Sequence, residues 1–174
     1  STVDVGSGDD DVTLSATTSN FGNWDPAYGA ENSTILLGDG SDSLAINAVA
    51  AGTGWINAYG ALGSTIDAGS DEGNDDVVIT ASASSDTSGA EAVGLGQSSR
   101  WADDGTGTWK ETITQGSLLT GAGDDSVSIT ASATGTWTNA WAVRSSTVDV
   151  GSGDDDVTLV VSESASQGDE ESSA

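Results

Sequence analysis

The sequence predicts an all-β chain: a right-handed parallel β-solenoid, β-helix or β-roll-like, with about 30 residues per coil. Three observations carry this reading. A glycine and aspartate turn recurs along the chain, a segment alternating apolar and polar residues follows every copy, and an aromatic-bearing segment precedes most of them. Together they define one domain over residues 1–161, of about five coils with an insertion near 86–116, followed by an acidic tail over 162–174.

The turns align as VGSGDDDVTL (5–14), LGDGSDSLAI (37–46), TGAGDDSVSI (120–129) and VGSGDDDVTL (150–159). A fifth copy, AGSDEGNDDVVI (68–79), carries two extra residues. Each reads GxGxDx(V/L)x(L/I). Copies recur about every 30 residues, except that 53 residues separate Ser64 from Ser117. That gap holds either one coil with an insertion or one normal coil and one degenerate coil.

After the turns, Val12, Leu14 and Ala16 alternate with Thr13 and Ser15. The same register returns as Leu44, Ile46, Ala48, as Val77, Ile79, Ala81, Ala83, as Val127, Ile129, Ala131, Ala133, and as Val157, Leu159, Val161. Period two marks strands with one apolar face. Apolar spacing never settles to three and four, and Gly, Ser and Thr dominate, so no helix is expected. Before the turns stand WDPAYGAENSTI (24–35), WINAYGALGSTI (55–66) and WTNAWAVRSSTV (137–148), with an echo in GAEAVGLGQSS (89–99). The large rings of Trp24, Trp55 and Trp137, with Tyr28, Tyr59 and Trp141, are expected to fill the wide end of the core. The competing expectation is an exposed aromatic ladder. RWADDGTGTWKE (100–111) breaks the repeat, carries two of the three basic residues and reads either as a contact or binding loop or as an unselected insertion.

Charge narrows the function. With 28 acidic against 3 basic residues the formal charge is −25, and such a chain repels itself unless cations neutralise it. No basic patch meets phosphates, so neither nucleic acid nor an anionic membrane surface is an expected partner. No apolar run reaches the roughly 18 to 20 residues that span a bilayer, so no membrane insertion is expected. Cys and His are absent, which leaves carboxylates alone for catalysis. These carboxylates repeat at equivalent positions instead of forming a distinctive pair in a cleft, so the chain is read as non-enzymatic.

The turns concentrate the acid, since 14 of the 28 acidic residues lie inside them. Stacked coils stand about 4.8 Å apart, so Asp10, Asp42, Asp75, Asp125 and Asp155 would form a column of like charges. That column is strongly unfavourable without a counter-ion. Hard carboxylate and carbonyl oxygens in a tight glycine loop suit Ca²⁺. The expected metal set is Gly6, Gly8 and Asp10; Gly38, Gly40 and Asp42; Gly69, Gly73 and Asp75; Gly121, Gly123 and Asp125; and Gly151, Gly153 and Asp155.

These turns resemble the nonapeptide GGxGxDxUx of RTX, or haemolysin-type, calcium-binding repeats of secreted bacterial proteins. The likeness falls on residues 5–13, 37–45, 120–128 and 150–158, with an interrupted copy at 68–78. It implies that the aspartates and turn carbonyls of adjacent coils hold Ca²⁺, that the apolar residue after the aspartate points inward, and that folding waits for the ion. Two departures stand out. The first glycine of the pattern is Val, Leu, Ala or Thr here, and there is one turn per coil of about 30 residues where the family has two turns per shorter coil. A wider solenoid with one calcium edge and one Trp-bearing edge follows.

Residues 1–14 return unchanged as 146–159. Either the two ends of one subunit present related surfaces for head-to-tail stacking with copies of itself, or 145 residues are the super-repeat of a longer fibrous protein. The expected function is therefore an extracellular or cell-surface structural protein, secreted and locked by calcium, that forms a filament or layer. The alternative is a monomeric adhesin-type module that grips a glycan or ice through its Trp/Thr face. The terminal segment from Val161 onward has the composition of a disordered acidic linker or export signal.

Overall fold

Residues 1–21, 26–103 and 105–166 are described in the computed structural model. They contain strands and turns and no helix, and the strands stack as a parallel β-solenoid. The first coil comprises β1 (Thr2–Asp4), β2 (Asp11–Phe21) and β3 (Ala27–Glu31); the second, β4 (Thr34–Leu36), β5 (Ser43–Thr53) and β6 (Ile56–Leu62). The third comprises β7 (Thr65–Asp67), β8 (Asp76–Ser85) and β9 (Gly89–Gly96). A hairpin of β10 (Ser98–Asp103) and β11 (Trp109–Thr114) then leaves the coil. The fourth coil is β12 (Ser117–Leu119), β13 (Ser126–Gly135) and β14 (Trp137–Arg144), and the fifth is β15 (Thr147–Asp149) and β16 (Asp156–Ala165).

Three parallel sheets result: a short one, β1-β4-β7-β12-β15; a long one, β2-β5-β8-β13-β16; and an aromatic one, β3-β6-β9-β14. The gap between Ser64 and Ser117 is one coil plus the hairpin, because β9 pairs with both β6 and β14 as an ordinary wall strand. β16 runs on through Ala165, into the stretch read as tail, because its backbone pairs with β13 as far as Gly135↔Ala165.

Register places like residues in columns. Val12, Leu44, Val77, Val127 and Val157 stack, as do Leu14, Ile46, Ile79, Ile129 and Leu159, and Ala16, Ala48, Ala81, Ala131 and Val161. On the short sheet Val3, Ile35, Ile66, Leu118 and Val148 form a further column. A slip of one residue would turn every one of these columns to solvent, so the apolar alternation sets the pairing.

The core tapers. Near the glycine turns it is built from Leu, Ile and Val, whereas where the long and aromatic sheets converge it consists almost wholly of alanine, among them Ala27, Ala50, Ala58, Ala83 and Ala133. This overturns the expectation that the rings fill a wide end of the core. The aromatic edge is the narrow end and holds only methyl-sized groups, so the rings stand outside. Trp137 is 70% exposed, Trp55 is half-buried with its ring lying over the Cα of Gly89, and Tyr28, Tyr59 and Trp141 are half-buried on the outer face. Trp24 lies outside the described residues.

Close packing across the taper explains one repeated glycine. A Cβ on Gly29, Gly60 or Gly94 would overlap the Cγ2 methyl of Ile46, Ile79 or Ile129 in the next coil, and also the backbone stacked above it. In the fourth coil Ala142 takes this position, and there the isoleucine column has changed to Leu159. Gly60→Ala is therefore expected to destabilise the fold by about 1–3 kcal/mol through overpacking, read as a lowered thermal midpoint. Gly60→Ala/Ile79→Leu, which copies the Ala142 and Leu159 combination, is expected to recover part of that loss.

Candidate functional site

The glycine turn joins each short strand to the long strand that follows. Gly6 and Gly8 lie at φ +94° and +122°, and Gly38, Gly40, Gly69, Gly121, Gly123, Gly151 and Gly153 share the positive-φ region, where an L side chain is strained. Space is a second requirement. A Cβ on Gly38 would overlap the carbonyl oxygen of Gly6, one on Gly73 that of Gly40, and one on Gly153 that of Gly123. The expected glycine ligands are thus brought together in stacks, with their carbonyls directed along the stack. Gly6 O accepts Asp39 N–H at 3.2 Å while Gly8 N–H donates to Asp39 O at 2.7 Å, and Gly121, Gly123 and Ser152 repeat the exchange at 3.0 Å. In the third coil the two extra residues interrupt this exchange, and Asp71 Oδ2 replaces the carbonyl as acceptor for Gly40 N–H at 3.0 Å.

From the second coil on, the first position of the turn, occupied by glycine in RTX repeats, points into the core: Leu37, Ala68 and Thr120 are buried, and Val150 packs against the apolar cluster, whereas Val5 in the first coil is exposed. A core column, continuing inward from the short sheet, has taken this position.

The five aspartates do form a column, and it faces inward. Asp42 and Asp125 are 1% exposed and Asp75 3%, while Asp10 and Asp155 at the outer coils are half-buried. From the second coil on, each carboxylate accepts the backbone N–H of its counterpart in the preceding coil. Asp10 N–H donates to Asp42 Oδ1 at 2.8 Å, Asp42 N–H to Asp75 Oδ1 at 2.9 Å, Asp75 N–H to Asp125 Oδ1 at 2.9 Å and Asp125 N–H to Asp155 Oδ1 at 3.1 Å. The second oxygens of Asp10, Asp42 and Asp125 are buried without a hydrogen-bond partner. Burial is the main force that raises the Asp75 carboxyl to about 6. The Asp42 N–H opposes the rise, and the charges of Asp125, Asp42 and Asp71 add to it.

The neighbouring acidic columns behave differently. On the outer side of the short sheet Asp4, Leu36, Asp67, Leu119 and Asp149 alternate acid with leucine. At the start of the long sheet Asp11, Ser43, Asp76, Ser126 and Asp156 alternate acid with serine. Charges in those columns recur only every second coil, roughly 9.6 Å apart, where exposed charges are screened by salt. The row beside the inner column also dilutes its acids: Ser41 N–H donates to Asp9 Oδ1, Asn74 N–H to Ser41 Oγ, Asp124 N–H to Asn74 Oδ1 and Asp154 N–H to Asp124 Oδ1, at 2.9–3.0 Å. The inner column alone keeps a carboxylate in all five coils.

Among the described residues no group of three or more acidic side chains converges as a ready-made metal cage. The fit to a cation rests on the partnerless buried oxygens: each is an anionic acceptor with an open lone pair, of the hard type that Ca²⁺ prefers.

Sequence reasoning did not single out Asp4, Asp67 and Asp149. They border shallow cavities of about 290 and 260 Å³ along the turns, and Asp67 and Asp149 also accept the N–H of Gly69 and Gly151 at 3.2 and 3.1 Å. Their signal was the aspartate two residues before the first turn glycine. Also unforeseen is a polar cluster on the aromatic sheet, where Tyr59 Oη and Arg144 Nη1 donate to Glu91 Oε1 at 3.0 and 3.3 Å. Burial, followed by the Glu91 charge, raises the Tyr59 hydroxyl. No protein-family model, curated protein or solved structure matches the chain.

The Asp75 shift sets a pH dependence for the metal-free chain. The folded state holds this proton up to about pH 6, whereas an unfolded aspartate releases it near 3.9. The contribution is thus fully present below about pH 4 and is lost as pH rises through 6. In EDTA the thermal midpoint is expected to fall over that interval, and Asp75→Asn to flatten the fall; parallel melts from pH 4 to 7 check it.

Proposed function

We propose that the chain is a non-enzymatic, calcium-stabilised structural solenoid of the cell exterior, which stacks head to tail with copies of itself. The observation that carries this reading is the inner aspartate column. Accepting a backbone N–H needs only an oxygen, and asparagine supplies one without charge, as Asn74 does one column away. The chain nevertheless places an inward carboxylate in every coil, half-buried in the two outer coils and buried in the three between them, an arrangement whose cost is removed by a bound cation. Asp10, Asp42, Asp75, Asp125 and Asp155 would hold it, with the glycines granting the backbone its close approach. When bound, the ion neutralises the column and ties coil to coil. The likeness of the turns to RTX repeats favours calcium as that cation, and calcium supply outside cells fits a chain that folds after export.

The polarity of the two ladders supports the stacking. In the inner one each N–H donates to the following coil, and in the outer one to the preceding coil. A copy set on the fifth coil would therefore offer the Asp10 carboxylate to Asp155 N–H, and its Asp9 N–H to the Asp154 carboxylate. It would also cover Val157, Leu159 and Val161, which are exposed in the fifth coil.

Circular dichroism and light scattering, recorded in EDTA and then during Ca²⁺ titration with Mg²⁺ as control, test both parts. The expected result is a calcium-specific gain of β signal and thermal stability with growing particles. A chain unchanged by EDTA and Ca²⁺ overturns the metal reading, and β signal without growth overturns the stacking. Asp42→Asn, which keeps the hydrogen bond to Asp10 N–H, is expected to raise the thermal midpoint in EDTA and to shrink the calcium-induced rise.

A further inference from the structure

A groove of about 210 Å³ opens on the outer face of the aromatic sheet, at the foot of the β10–β11 hairpin. Its walls include Tyr28, Tyr59, Glu31, Glu91, Gln97 and Arg144. The two tyrosines stack with centroids 5.2 Å apart and an interplanar angle of 24°. In the next coil the same column holds Val93, and in the coil after that Trp141, so the stack is interrupted and the groove opens beside the gap. The Arg144 guanidinium crosses from the Trp141 ring, 4.8 Å from its centroid, to Glu91. Glu91 Oε1 is thereby held by two donors, while Glu31 and Gln97 contribute further polar groups to the walls.

The groove continues onto the hairpin. Ser99 lines it and pairs with Ile113, Trp101 pairs with Glu111, and Asp103 with Trp109. These six share one face of the ribbon by strand alternation, and the hydrogen bond from Ser99 Oγ to Glu111 Oε1 lies on it. Arg100 and Lys110 occupy the opposite face. Trp101 is 59% and Trp109 65% exposed, and Ile113 is also exposed. A six-residue strand is roughly 20 Å long, so groove and aromatic face form one surface longer than a single sugar ring.

We infer that this surface binds a neutral oligosaccharide chain, a function beyond the structural role proposed above and independent of calcium. A pyranose offers apolar C–H faces and a rim of hydroxyls that both donate and accept. The tryptophans supply open ring faces for the former, and Glu31, Glu91, Gln97 and Arg144 supply acceptors and donors for the latter. Anionic chains are disfavoured by the charge of −25, and the arginine in the groove is already paired with Glu91. A protein partner is disfavoured because the rings stand on a narrow ribbon beside Asp103 and Glu111, without the desolvated pocket that an interface anchor fills.

The test is equilibrium binding of the full chain to cellohexaose, chitohexaose and mannohexaose, with hexagalacturonate as the anionic control, read by calorimetry and tryptophan fluorescence. Dichroism in EDTA and in Ca²⁺ checks folding separately, so failure of the calcium reading and failure of this one give different records. Saturable binding of a neutral hexasaccharide, weakened about tenfold or more by Trp101→Ala or Trp109→Ala and several-fold by Glu31→Gln, is the expected result. The inference is overturned by the absence of binding to all three neutral chains, by preference for hexagalacturonate, or by neutral binding that the Trp101 and Trp109 variants leave unchanged. A protein captured through the hairpin tryptophans without any sugar binding overturns it as well.

Discussion

Parallel stacking at one strand spacing sets like residue above like residue in every column, and each other feature of the molecule answers to that constraint. For apolar residues the constraint is favourable, because a column of Val, Ile or Leu excludes water along the whole axis. Glycine columns follow from it too: where a carbonyl of one coil points at the Cα of the next, as Gly6 does at Gly38, no side chain fits. For carboxylates the same geometry is adverse, since a repeat of about 4.8 Å leaves little water between the charges.

The acids are distributed accordingly. Leucine or serine separates the aspartates in the two exposed columns beside the turns, and asparagine or serine dilutes a third. The inner column, the most buried of the acidic ones, makes no such concession, and the second oxygens of Asp10, Asp42 and Asp125 find no donor. The ladders that run through these side chains point in opposite directions along the axis, which gives the stack a polarity that backbone pairing alone would not impose.

The far side of the molecule shows a different use of the same scaffold. The core narrows there to alanine, which pushes the rings outward, and at the corner after β9 the chain leaves the coil to build a two-stranded ribbon. Departure at a corner leaves the ladders intact, because β9 and β14 close on each other past the insertion. The inward carboxylates thus belong to the turn edge, and the aromatic and hydrogen-bonding groups gather on the opposite edge, each held by a wall of stacked strands.

The solenoid, its parallel register and the inward residues of the long sheet were legible in the sequence, because a side-chain period of two and a coil-length repeat are local properties of the chain. So was the assembly of Asp10, Asp42, Asp75, Asp125 and Asp155 into one column, since equal spacing from the strand start forces it. The turn's first residue carried its explanation only in three dimensions: Leu37 and Ala68 complete a core column. The taper was equally hidden, because sheet convergence depends on how two walls meet and no periodicity records it; the outward position of Trp137 follows from that meeting. Packing across coils also decided the pairing of Gly60 with Ile79 and the gathering of Glu91, Arg144 and Tyr59. These residues are distant in sequence, and only the stacking of one coil on the next brings their side chains within reach.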